Sequence, residues 1–153
     1  MRVMAPPASP QVQSKMIRAD SLLFLPAPFK VSRVRVFRDG QVEFAKSLDG
    51  LFTSEVGRAM LVGPEDGGNF IVSMVDFPPG VRNKFHIHSS DQILIVTSGV
   101  GIVATQDEEI AVSAGDLVSV PANLKHWHGA SAESEFAHIS IVASGTVTTQ
   151  LET

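Results

Sequence analysis

The sequence predicts an all-β chain folded as one antiparallel sandwich or barrel, and three observations carry that prediction. About ten short segments are rich in β-branched and other apolar residues, several with strict alternation of apolar and polar positions. Turn-forming residues punctuate them at roughly 8–12-residue intervals, the spacing of sandwiches and barrels. No segment keeps a helical periodicity over about 11 residues or more. With 153 residues, of which 44% are hydrophobic and 18% charged, the chain can bury one sizeable core.

The elements follow in order. Residues 1–21, which carry Pro6, Pro7 and Pro10 among Ala, Ser and Gln, have little periodic apolar content and are expected to form a flexible N-terminal tail. The folded domain is expected to span 22–153, beginning with an apolar segment, Leu22 to Phe29, whose two prolines favour an edge segment packed on the domain over a helix. Val34-Arg35-Val36-Phe37-Arg38 and Gln41-Val42-Glu43-Phe44 flank Asp39-Gly40, a two-residue hairpin signal. Arg58 to Val62 is a short strand between Gly57 and Gly63. Glu65 to Asn69 forms a turn, and Phe70 to Phe77 is the next strand, stopped by Pro78-Pro79-Gly80. Ile93 to Thr97 is nearly continuous β-branched sequence; Ser98-Gly99 is expected to turn, and Ile102 to Thr105 to return. Glu109 to Ser113, Leu117 to Val120 and Phe136 to Val142 complete the strands.

Composition narrows the function. A net charge of −4 gives no basic footprint, so nucleic acid is not an expected partner. The absence of cysteine removes disulfides, thiolate metal sites and thiol catalysis together. No apolar run reaches the roughly 18–20 residues that span a membrane. Leu22 to Leu25 is too short, and too closely flanked by Asp20 and Pro26, to act as a signal core, so a cytoplasmic location is expected.

The chemistry concentrates in residues 80–99. His86 and His88 are two apart, so on a strand both imidazoles leave one face, as two nitrogen ligands of one ion would. Gln92 keeps their parity, whereas Asp91 has the opposite parity and is expected to face solvent. His126 and His128 form a second same-parity pair later in the chain. His138 stands alone among Phe, Ala and Ile on its strand, where a histidine needs a reason. Ser73 and Lys84 are further candidate pocket groups, and Trp127 reads as a packing residue.

Gly80, His86, His88, Gln92 and Gly99 stand at the intervals of the first motif of the cupin family, with Gln92 where the motif carries Glu. Gly115, Pro121 and His126 fit the second motif, with Asn123 and Ala130 as departures. The chain therefore resembles the cupins, and the resemblance implies a double-stranded β-helix, or jelly-roll barrel, with its motif core at about 70–143. It further implies that His86, His88, Gln92 and His126 hold a divalent metal, Mn or Fe first and Ni, Zn or Co otherwise. Within the family the chain is most similar to small manganese-dependent hydroxynitrile lyases, in which a histidine twelve residues beyond the last ligand approaches the substrate. His138 holds that place here, and His128 stands beside the ligands, so these two are the catalytic candidates. Asn83 and Val142 depart from that group at pocket positions. Replacing Glu by the neutral Gln92 leaves a divalent site at +2 and its ion a stronger Lewis acid.

The resemblance thus implies a Lewis-acid lyase acting on a small hydroxyl or carbonyl compound. An Fe- or Mn-dependent dioxygenase uses the same ligands, and a non-catalytic small-molecule-binding cupin is the third reading. The expected partners are a small-molecule substrate and, by analogy with small cupins, a second copy in a homodimer.

Overall fold

The computed structural model describes residues 34–38 and 40–153. The expected tail, the edge segment Leu22 to Phe29 and Asp39 of the hairpin signal lie outside the described residues. Among the described residues, ten strands make up nearly all of the regular structure: β1 (Ala45–Ser47), β2 (Val56–Val62), β3 (Phe70–Phe77), β4 (His86–His88), β5 (Gln92–Ala104), β6 (Glu109–Ser113), β7 (Leu117–Val120), β8 (Trp127–Ala130), β9 (Phe136–Ala143) and β10 (Thr148–Gln150). A single 3-10 turn, Pro64–Asp66, stands where the Glu65 to Asn69 turn is expected. The all-β prediction holds.

All pairing is antiparallel. The main sheet runs β1-β2-β3-β9-β5-β6, with β7 and β8 also paired to β5, and β4 pairs with β10. β5 is the organising strand. Its first half pairs with β7 and β9, and its second half with β6 and β8. The switch occurs at a bulge between Val96 and Ser98. Here the expectation of a turn at Ser98-Gly99 is corrected, because the chain continues as one strand through both residues. Gly99 does take a left-handed φ of 72°, but it uses it to bend a strand rather than to reverse it. A Cβ at Gly99 would lie 1.8 Å from the Glu135 carbonyl oxygen, so the partner backbone also requires glycine.

The first hairpin is corrected as well. Neither 34–38 nor 41–44 is a strand, although the Gln41 N–H donates to the Arg38 carbonyl at 3.1 Å and closes a turn. Val34 and Val36 are exposed, with no strand among the described residues paired to them to give their alternation a face to bury. Phe37 and Phe44 instead border a hollow on the outer face of the sheet with Leu61, Met74 and Ile139. The edge pairing is made further on, where β1 meets β2 with Ala45 opposite Arg58.

Alternation places the core. Along β5, Gln92, Leu94 and Val96 point inward and Ile93 and Ile95 outward. Phe77, Phe136 and Leu94 are fully buried, each worth about 1.5–3 kcal/mol in burial. Phe77 meets Phe52 edge-on at 5.8 Å between centroids and lies 5.6 Å from the His138 ring. The hydrophobic core therefore continues directly into a cluster of histidines.

Candidate metal centre

β4 presents His86 and His88 inward and Ile87 between them less buried, as the two-residue spacing predicts. His126 lies just before β8, joined to His86 by a reciprocal pair of backbone bonds: His86 N–H to the His126 carbonyl at 2.9 Å, and the reverse at 3.0 Å. Gln92 opens β5 beside them. One ligand nitrogen from each of His86, His88 and His126 falls in a group within 4.8 Å, all three residues being buried. The ring centroids are 4.3 Å apart for His86 and His126 and 4.8 Å for His86 and His88.

Backbone carbonyls set the tautomers of His86 and His126. Nδ1–H of His86 donates to the Lys84 carbonyl at 2.8 Å, and Nδ1–H of His126 to the Leu124 carbonyl at 2.9 Å. A carbonyl only accepts, so in the neutral ring Nε2 of each carries a lone pair. His88 Nδ1 bonds the Thr148 hydroxyl at 3.0 Å, and its buried Nε2 has no hydrogen-bond partner among the described residues. Gln92 donates its amide N–H to Ser140 Oγ at 2.9 Å, which turns Oε1 toward His126 Nε2 at 3.1 Å. Two acceptors thus face each other at hydrogen-bond distance with no proton between them.

Burial keeps the rings neutral. It depresses His86 to about 3, with His126 adding to the effect, and His88 to about 4, again helped by His126. His126 is also lowered by burial. Convergent lone pairs on neutral nitrogens and an amide oxygen suit a cation, and the nitrogen and oxygen donors fit Mn, Fe, Co, Ni or Zn.

Beyond the triad the imidazoles continue. His128 stacks on His126 at 5.9 Å between centroids, and its Nδ1 lies 3.0 Å from Nε2 of His138. Both are fully buried; burial pushes His128 well below its ordinary range, helped by His138, and His138 down to about 4. Nδ1 of His138 has no hydrogen-bond partner among the described residues. Asn83 is buried, and its Oδ1 accepts the backbone N–H of His128 at 3.3 Å.

A cavity of about 110 Å³ joins these groups; His88, Gln92, His128, His138, Asn83 and Ser73 line it. The structure thus brings every histidine candidate into one place. Lys84 does not border this cavity and contributes its carbonyl to His86 instead. Asp91 faces solvent, as its parity predicts, and its Oδ1 accepts the Ala122 N–H at 2.8 Å. Trp127 packs under the Arg82 guanidinium, 5.0 Å from the ring centroid.

Three participants escaped the sequence reading. Ser140 orients the Gln92 amide, Thr148 holds His88, and Arg58 enters the cavity from β2. The first and third follow from strand alternation once the pairing partners are known. Thr148 has no local signal, since β10 is only three residues long.

Residues 73–142 match the family model described as the cupin domain. The chain is 30% identical over 109 residues to an (R)-mandelonitrile lyase of Granulicella tundricola, covering 71% of this chain and 83% of that protein. It is 34% identical over 68 residues to an acireductone dioxygenase of Exiguobacterium sibiricum, covering 37% of this chain and 38% of that one. The chain spans less than half the length of that dioxygenase. Among solved structures it is similar to a cupin-like protein of Thermotoga maritima, at 35% identity and a TM-score of 0.70, covering 76% of this chain and 90% of the other.

Proposed function

The chain belongs to the cupin superfamily, and from that premise we propose that it is a metal-dependent lyase acting on a small hydroxyl or carbonyl compound. The observation that carries the proposal is the convergence of one ligand nitrogen from each of the buried His86, His88 and His126 within 4.8 Å, with the Gln92 side chain 3.1 Å from His126 Nε2. His86, His88, Gln92 and His126 would hold the ion, Mn or Fe in the first instance. When bound, it supplies Lewis acidity, polarising a carbonyl or acidifying a hydroxyl, and four neutral ligands leave its charge undiminished.

The remaining residues handle position and protons. His138 takes the substrate's hydroxyl proton at its unpartnered Nδ1, and its Nε2 stays linked to His128 Nδ1. Burial makes His138 a weak base that is nevertheless unprotonated at neutral pH, so it is available but depends on an acidified substrate. Asn83 fixes the backbone that carries His128.

A second reading, a dioxygenase on the same ligands, is favoured by the similarity to acireductone dioxygenase. One experiment separates them. The purified protein is analysed for metals, beside His126→Ala and Gln92→Ala, and assayed on lactonitrile, a cyanohydrin small enough for the cavity, with and without dioxygen. We expect about one ion per chain, lost in His126→Ala, and cleavage that proceeds anaerobically. Stoichiometric oxygen consumption during turnover would remove the lyase in favour of the dioxygenase.

A further inference from the structure

We propose that the substrate of this site carries a carboxylate, and that Arg58 and Ser73 bind it. This rests on the metal-site reading above and adds to it the charge of the molecule that the site takes.

Arg58 sits on β2 opposite Val75 of β3, and Val75 is in turn opposite His138 of β9. All three share the inward face, so Arg58 stands two strand spacings, about 10 Å, from His138 across the sheet. Arg58 borders the same cavity as His88, Gln92, His128 and His138. Among the described residues it has no ion pair, whereas Arg82 is matched to Glu152 and Lys46 to Glu55. Asp76 cannot neutralise it, because the neighbouring position on β3 turns that carboxylate to the outer face of the sheet. Among the described residues, no Asp or Glu lines the cavity.

Arg58 is half-buried and has no counter-charge among the described residues, and its planar donor fork suits a carboxylate. Ser73 supplies a second donor. It lies diagonally across from Arg58, two pairs along the same register and so on the same face, is buried, and makes no side-chain hydrogen bond within the described residues. The other groups at the cavity are neutral, so a divalent ion on its neutral ligands would raise the local positive charge further and draw an anion in. The volume, about 110 Å³, is smaller than the roughly 150 Å³ cavity that accommodates a benzene. A short 2-hydroxy or 2-oxo acid fits these terms, its carboxylate at Arg58 and Ser73 and its hydroxyl or carbonyl toward His138 and Gln92.

The test is calorimetric titration with lactate and with its neutral counterpart lactamide, on metal-loaded and on chelator-stripped protein. The native chain should prefer lactate by about tenfold or more in both forms. Arg58→Gln should remove that preference by weakening lactate alone, Arg58→Lys should retain part of it, and Ser73→Ala should reduce it severalfold. Metal content and melting temperature of Arg58→Gln should match the native protein. Equal affinity for the two probes, or a preference that survives Arg58→Gln because the carboxylate sits on the metal, would overturn the proposal. A lactate preference that persists in stripped protein and vanishes with Arg58→Gln supports it even where metal analysis defeats the metal-site reading, so the two can fail separately.

Discussion

At the scale of single residues, the amide of Gln92 reaches the triad in one orientation because Ser140 Oγ takes its N–H. Replacing that amide by a carboxylate lowers the charge of the loaded site by one. Gln92→Glu is therefore expected to hold the ion at least about tenfold more tightly and to turn over more slowly, since a less positive ion polarises less. Chelator competition measures the first effect and metal-normalised rates the second; a faster enzyme would contradict the Lewis-acid argument. Ser140→Ala frees the amide to rotate and should cost roughly 10–100-fold in metal affinity, as loss of a group that orients a ligand does. The histidines and Gln92 were legible in the sequence because their parity is a local property. Ser140 and Arg58 were not, since their roles depend on which strands lie side by side: Leu94 opposite Ser140, Val75 opposite Arg58.

At the scale of elements, β5 shows why a local signal can be read correctly and placed wrongly. Gly99 announces a positive φ, and both a turn and a bulge need one. Only the closeness of Glu135, just before the incoming β9, separates the two, and that contact is remote in sequence. Gly99→Ala combines a left-handed φ with a backbone overlap, so it should destabilise by more than about 3 kcal/mol or prevent folding, read by urea denaturation. The short β10 was illegible for another reason: its three exposed residues bury nothing and are held by β4 and by a latch behind it. Glu152 forms two bonds with the Arg82 guanidinium, at 2.9 and 3.1 Å, and accepts the Phe85 N–H at 2.8 Å. Arg82 first, and then the Phe85 N–H, hold its carboxyl at about 2, below the ordinary 4.5. The unfolded chain therefore binds the proton first as pH falls. The latch contributes fully above the ordinary carboxylate range and fades as pH drops toward about 2. The stability difference between native protein and Glu152→Gln should accordingly shrink with acid. A difference that stayed constant to that pH would show that Glu152 acts by packing rather than charge.

At the scale of the whole molecule, all five histidines of the chain are buried in one run that adjoins the aromatic core. Each is depressed below 6.5 by burial, His86 to about 3 and His88 and His138 to about 4. In metal-free protein the unfolded chain binds these protons before the folded one does. Stability should then be full above about pH 6.5 and fall continuously as pH drops toward the folded values, each tenfold difference in proton affinity being worth about 1.4 kcal/mol. The same depression governs metal. Protons compete for His86 and His88 of the folded state only near pH 3–4, and burial lowers His126 as well, so the loaded site should survive below the range where free imidazole protonates. An ion at about 100 times its dissociation constant adds about 2.7 kcal/mol to folding, a rise of roughly 5–10 °C in melting temperature for a chain of this size. That rise should appear at pH 7, persist at about pH 5.5 and be absent in His126→Ala. An increment that decayed with a midpoint near 6.5 would mean that the ligands titrate as solvent-exposed imidazoles, and that the buried triad is not where the ion binds.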